Sequence, residues 1–163
     1  MIVTCGFFSV RIGDSFGPLP LEQPTEDIIS FGGWSDSDQP ISVKLTVREI
    51  ERSILPVAHV AIADIRAVLS TTGSTEEIEF GEATPPGCES GCFAELRHTV
   101  NGTCLVNLCV AGAYGTLVGV LRVVFALHRA DDLGVRAGAI ARSFSFNEAE
   151  YLLHLVQIDS GGS

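Results

Sequence analysis

Lysine is nearly missing from this chain. Lys44 is the only one in 163 residues, and the other basic residues are all arginines. Basic residues as a class are scarce: ten against twenty acidic ones, for a formal net charge of −10. None occurs between Arg11 and Lys44, or between Arg66 and Arg97. Those two windows are expected to form acidic surface. Such a field repels a polyanion and excludes nucleic acid as the main partner, while it attracts a cationic amine or a basic protein. Cysteine is also sparse. Five thiols (Cys5, Cys88, Cys92, Cys104, Cys109) are too few to staple a chain of this length. The first residues lack a basic segment leading into an apolar run and a small-residue cleavage site, so the expected setting is reducing and cytoplasmic. A homodimer is compatible with these features.

One long hydrophobic run is present, at residues 104–127, and it is long enough to cross a bilayer. Asn107 and Arg122 would each be costly inside lipid, so no membrane span is expected. Apolar residues make up 46% of the chain, which excludes general disorder and allows a real core. The simplest organisation is a single domain over 1–163.

Taken in order, residues 1–12 read as a strand. Residues 13–40 are rich in Pro, Gly and Asp and read as a long loop, with a helical turn near Glu26. Phe31 and Trp34 are expected to pin that loop to the core. Residues 41–50 alternate apolar and polar, as a half-buried strand does. Val57, Val60, Ala61, Ile65 and Val68 then follow helical spacing up to Thr71-Thr72-Gly73. Residues 76–80 form a short acidic strand, and 82–91 a Pro/Gly loop.

The sharpest local signal is Asn101-Gly102, flanked by two strand-like runs, which predicts a two-residue hairpin turn. Setting Val100 opposite Thr103 puts Phe93, Glu95, Arg97, Val106, Leu108 and Val110 on one face. Cys92, Ala94, Leu96, His98, Leu105, Asn107 and Cys109 fall on the other. Cys104 is then separated from Cys92 and Cys109, and His98 is far along the strand from Cys92, so no metal site is expected.

From Tyr114 on, Leu117, Val118, Leu121, Val124, Phe125 and His128 recur at helical spacing, and Leu133-Gly134 resembles a helix end with glycine at positive φ. Residues 135–144 read as a strand. Ser145 and Glu148 fit a capping box for a closing helix that turns Ala149, Leu152, Leu153 and Val156 inward. The fold class expected is α+β, a mainly antiparallel mixed sheet with about three helices. The valines at 118, 120, 123 and 124 keep an all-β sandwich as the alternative.

The run VAGAYGTLVGVL followed by LHRADDLGVR resembles the central motif of the GNAT family of acyl-CoA-dependent N-acetyltransferases. There a strand enters a glycine-rich loop and a helix ending in Leu-Gly-Val. Val110, Tyr114, Gly115, Gly119, Leu133, Gly134 and Val135 match at nearly the family's spacing, and Asn147-Glu-Ala149 is similar to its next helix start. The resemblance covers about residues 93–156. It implies a helix from about Tyr114 to Leu133 and an acetyl-CoA site. Gly115, Thr116, Leu117 and Gly119 would offer amides to the pyrophosphate, with pantetheine beside Val110 and Asn147 at the following helix. It also implies His154 as the group protonating the departing thiolate and Glu95 as general base, with Glu77 and Glu79 in reserve. The loop departs from the family in lacking its opening Arg or Gln and in carrying Leu117 for the middle glycine. Binding of CoA should be weak in consequence. If the cleft beside Val110 exists, the neighbouring strand must splay from it there.

The competing reading is a non-catalytic acidic protein of the immunity type that binds and neutralises a basic protein partner.

Overall fold

The computed structural model describes residues 1–20, 28–51 and 56–161. The helical turn expected near Glu26 lies outside them. The architecture is α+β, with antiparallel sheets and three α-helices among the described residues.

The larger sheet has seven strands: β3 (Phe16–Pro18), β4 (Ile28–Asp36), β5 (Ile41–Glu49), β6 (Ser74–Glu82), β7 (Ser90–Val100), β8 (Thr103–Tyr114) and β9 (Leu117–Ala126). Their spatial order is β3-β4-β5-β9-β8-β7-β6, and every described pairing is antiparallel. A small second sheet is built from β1 (Ile2–Cys5), β2 (Phe8–Arg11) and β10 (Ser145–Phe146). The helices are α1 (Val57–Ser70), α2 (Ala130–Arg142) and α3 (Glu148–Gly161).

The hairpin at Asn101-Gly102 forms as its residues dictate. Both carry positive φ (50° and 80°), the conformation an Asn-Gly pair accepts at least cost. Val100 stands opposite Thr103, and pairing runs without a break to Ser90 opposite Ala113. The division of side chains between two faces follows from that register and is the one expected.

Each face carries its own core. On the first, Val43, Leu45, Val106, Leu121 and Val123 meet Phe8 and Val10 of the small sheet and Leu133, Ala137 and Ile140 of α2. On the second, Cys92, Ala94, Leu96, Cys109, Ala111, Val118 and Val120 meet Ala58, Ala61, Ile62 and Leu69 of α1.

Several expectations are corrected. The helix expected over Tyr114–Leu133 is instead β9, a 3-10 turn (Leu127–Arg129) and the first turn of α2. The reason is burial. β9 is the central strand of the seven and is buried on both faces from Val118 to Leu121, so it is apolar nearly throughout and satisfies a helical spacing by default. Its β-branched residues favour the pleat. The strand expected over 135–144 is the body of α2, where Leu133, Ala137 and Ile140 recur on one buried face. Asp131 and Asp132 in the first turn and Arg142 in the last suit its dipole.

Residues 1–12 are two strands folded at Gly6 (φ +57°). The loop expected over 13–40 contains β3 and β4. Trp34 does pack against the first core, whereas Phe31 is 40% exposed. The helix cap sits two residues later than expected: Asn147 Oδ1 accepts the Glu150 amide at 3.1 Å, and Asn147 Nδ2 donates to Glu150 Oε2 at 3.0 Å. Ala149, Leu152, Leu153 and Val156 of α3 face solvent rather than the core.

Candidate functional site

On the first face, α2 covers β8 and β9 but leaves the outer strands β6 and β7 open. The uncovered step forms a cleft of about 450 Å³. Its floor is apolar. Phe93 of β7 and Leu108 and Val110 of β8 line it, together with Phe144 just beyond α2. The α2 wall is made shallow by small residues, Gly138 and Ala141. The far wall is the loop at 83–89, through Pro85 and Pro86.

That loop is held in place. The Phe146 amide donates to Pro86 O at 2.8 Å, and the Glu89 amide donates to Ala113 O at 2.8 Å. Gly87 has φ +83°, and a Cβ there would lie 1.9 Å from Phe146 O, so only glycine lets the loop close on β10. The cleft is thus formed before any ligand arrives.

Charge is placed at its rim. Glu79 and Glu95 face each other across β6 and β7, next to a bulge at Glu77/Glu79. Arg97 Nη2 lies 3.6 Å from Glu95 Oε2. Arg142 stands on the α2 side. A ligand in the cleft meets carboxylates along one wall and a guanidinium on the other.

The residues singled out by the acyltransferase resemblance do not converge. Glu95 and Val110 both line the cleft. Gly115 and Thr116 form the two-residue β8–β9 turn, with Gly115 at φ +59°. The Gly115 amide donates to Glu89 Oε1 at 2.5 Å, and Thr116 Oγ1 donates to Glu49 Oε1 at 3.3 Å. Carboxylates therefore stand where phosphate was expected. Leu117 opens β9, opposite Tyr114. Gly119 is buried under Phe8, whose ring would be 2.4 Å from an added Cβ. Asn147 caps α3. His154 is exposed on α3, its ring 5.4 Å from that of Phe7.

Nor does the sheet part. Val110 pairs with Phe93 on one side and Leu121 on the other, and both ladders continue past it. There is no V-shaped opening beside Val110.

Three of the thiols are also poorly suited to nucleophilic work. All five are free. Burial pushes Cys88 up to about 11, and Cys92 and Cys109 up to about 12, with Glu82 adding to the effect at Cys92. Arg122 opposes the effect of burial at Cys109. Such thiols stay protonated and inert near neutral pH.

Neither the family models nor the curated proteins contain a match to this chain. Solved structures do. The chain is similar to cyanobacterial PsbP (CyanoP) from Synechocystis sp. PCC 6803, with a TM-score of 0.67 at 12% identity, over 86% of this chain and 87% of that one. It is also similar to LpqN, involved in cell envelope biogenesis of Mycobacterium tuberculosis, with a TM-score of 0.53 at 15% identity, over 86% and 83%. At such identities the likeness defines the fold, which is PsbP-like. It overturns the resemblance to the GNAT family, and with it the acyl-CoA N-acyltransferase reading.

The sequence left the cleft half legible. The hairpin register already placed Phe93, Glu95, Leu108 and Val110 on one face. Gly138, Ala141, Arg142 and Phe144 escape it, because residues 135–144 read as a strand. The signal was present in the alanine-rich run after Asp131-Asp132, with small residues one helical turn apart.

Proposed function

We propose that the protein is a non-catalytic binding domain whose cleft beside α2 receives an apolar side chain flanked by basic residues, presented by a partner protein. The observation that carries this reading is the junction of an apolar floor with the Glu79–Glu95 pair at its edge. Apolar burial supplies affinity, and carboxylates at the rim supply orientation and selectivity. The excess of acidic residues, a net −10, favours encounter with a basic partner over long range. The preformed walls lower the ordering cost of binding. Protonated thiols and the absence of a slot along Val110 support binding rather than acyl transfer.

The test uses labelled peptides with a central Phe or Leu flanked by lysines, and matched peptides flanked by glutamates. Fluorescence anisotropy should detect the lysine-flanked set alone. Gly138→Leu extends into the cleft from α2, where an added Cβ meets only the flexible side-chain end of Arg142, at 3.2 Å. That variant should lose the peptide. Replacing both Glu79 and Glu95 by Gln should weaken binding about tenfold or more, with most of the effect at low salt. Equal binding of the lysine peptide by wild type and Gly138→Leu would rule out the cleft as the site.

A further inference from the structure

The second face of the sheet holds a feature independent of the cleft. α1 packs chiefly on β7 and β8, and the strip of β5 and β9 beside it carries three cations, Lys44, Arg48 and Arg122. Lys44 of β5 stands directly opposite Arg122 of β9. Neither forms an ion pair with any described residue. Arg48, on the same face, makes the contrast: its Nη1 is 2.8 Å from Asp64 Oδ2. Arg122 donates from Nη2 to Asn107 Oδ1 at 3.0 Å, and Asn107 is itself only 1% exposed. The Nε of Arg122 is buried with no acceptor.

This arrangement is costly by itself. Like charges directly opposite in a sheet destabilise it, and an unsatisfied buried donor adds a desolvation penalty. Among the described residues no carboxylate is placed within ion-pair distance of either cation. The only lysine of the chain is spent in the one place where it repels an arginine. Burial, and then Arg122, hold the Lys44 pKa below its ordinary value, which reports the same unrelieved crowding.

We propose that Lys44 and Arg122, with Asn107 fixing the guanidinium, bind a phosphate group carried on an apolar stem. Two adjacent cations match the charge and the several acceptor oxygens of a phosphate, and a guanidinium offers it parallel donors. Gly33 lies opposite Lys44 and brings no side chain over the pair. Val124, opposite Asn107, and Leu105 continue the same face as a partly exposed apolar track. Phe31 stands exposed on the β4 side, opposite Thr46. These residues give the stem a surface to lie on.

The singular lysine makes the site easy to watch. Reductive ¹³C-methylation labels Lys44 and the N-terminal amine and keeps the positive charge. Octyl phosphate should shift the Lys44 methyl signal saturably and raise the melting temperature of the wild type. Lys44→Met should weaken this binding about tenfold, the loss expected for one charge-assisted contact. The ligand-free variant should melt higher than wild type, because the repulsion is gone. Lys44→Arg should retain binding. Inorganic phosphate should bind more weakly than octyl phosphate, and equal affinities would overturn the apolar stem. Vesicles of phosphatidylglycerol and of phosphatidylcholine separate the sources. Sedimentation with the former that depends on Lys44 assigns the phosphate to a lipid headgroup. Binding of octyl phosphate without sedimentation assigns it to a soluble ligand. A Lys44 signal that does not move, or octyl phosphate bound equally by wild type and Lys44→Met, overturns the proposal. Gly138→Leu lies on the other face, so the two sites fail or stand separately.

Discussion

Gly119 and Gly134 look alike in the sequence, each between two aliphatic residues, yet the structure asks opposite things of them. Gly119 lets the Phe8 ring lie flat on β9, and an added methyl would sit 2.4 Å from that ring. Phe8 is fully buried and stacked 5.6 Å from Phe144, so it has nowhere to retreat. Gly119→Ala should cost about 1–3 kcal/mol, the usual range for overpacking, read from the urea midpoint. Gly134 meets nothing within 4 Å and lies inside α2 without positive φ. Gly134→Ala should therefore stabilise the protein by about 0.5–1 kcal/mol through helix propensity alone. A loss of stability at Gly134→Ala would mean that α2 does not continue through this residue. The expectation of a glycine at a helix end with positive φ was reasonable for Leu-Gly-Val. It failed because the helix begins where that reading ended it.

At the scale of elements, α2 is fastened to the sheet edge by one side chain. Arg136 pairs with Asp36 of β4, donates from Nη1 to Gln39 Oε1 at 2.6 Å, and lies 5.3 Å from the centre of the Phe16 ring. Burial alone would raise the Asp36 pKa. The Asp38 amide, the Ser15 hydroxyl and Arg136 outweigh it and leave the pKa lowered. A carboxylate depressed in the folded state adds stability that is present above its unfolded pKa, roughly 3.9, and is lost as pH falls through the folded value. The melting temperature should fall on acidification below about pH 4, and Asp36→Asn should flatten that part of the curve. Arg136→Leu should cost about 2 kcal/mol at neutral pH, since it leaves the carboxylate without its charged partner. If Arg136→Leu melts like wild type, α2 is held by its apolar face alone.

The strands around this anchor show where sequence reasoning works. β5, β7 and β8 were legible because each has either clean alternation or a turn with fixed chemistry, and Asn101-Gly102 set the register of two whole strands. β9 was not, since its first half is buried on both faces and has no period to read. One misreading then displaced the next element, turning α2 into a strand. The same error hid the α2 wall of the cleft. The Lys44–Arg122 pair was hidden for the related reason that pairing across β5 and β9 is a tertiary fact, with no short turn between them to reveal it.

At the scale of the molecule, stability should be graded from the centre of the large sheet outward. β5, β9 and β8 are paired on both sides, and β9 is buried on both faces from Val118 to Leu121. α3 is the opposite case. Its first turns are tied down: Asn147 caps it, the Tyr151 ring packs 5.2 Å from Phe7 and 5.5 Å from Tyr114, and the Tyr114 hydroxyl donates to Glu148 Oε1 at 3.1 Å. Beyond Tyr151, Leu152, Leu153, Val156 and Ile158 are all more than two-fifths exposed. A short helix with so little tertiary support is marginal in water. Hydrogen exchange should therefore report three classes. Amides of β8 and β9 should exchange only through global unfolding, with the slope of the urea transition. Those of the first turns of α3 should be intermediate. Those from about Leu155 onward should exchange by local fraying, insensitive to urea. Tyr151→Ala removes the link to Phe7 and Tyr114, and should move the whole of α3 into the fast class while leaving β8 and β9 unchanged. If Tyr151→Ala lowers protection in β8 and β9 by the same amount as in α3, the helix is part of the cooperative core, and the aromatic cluster is a structural keystone rather than a tether.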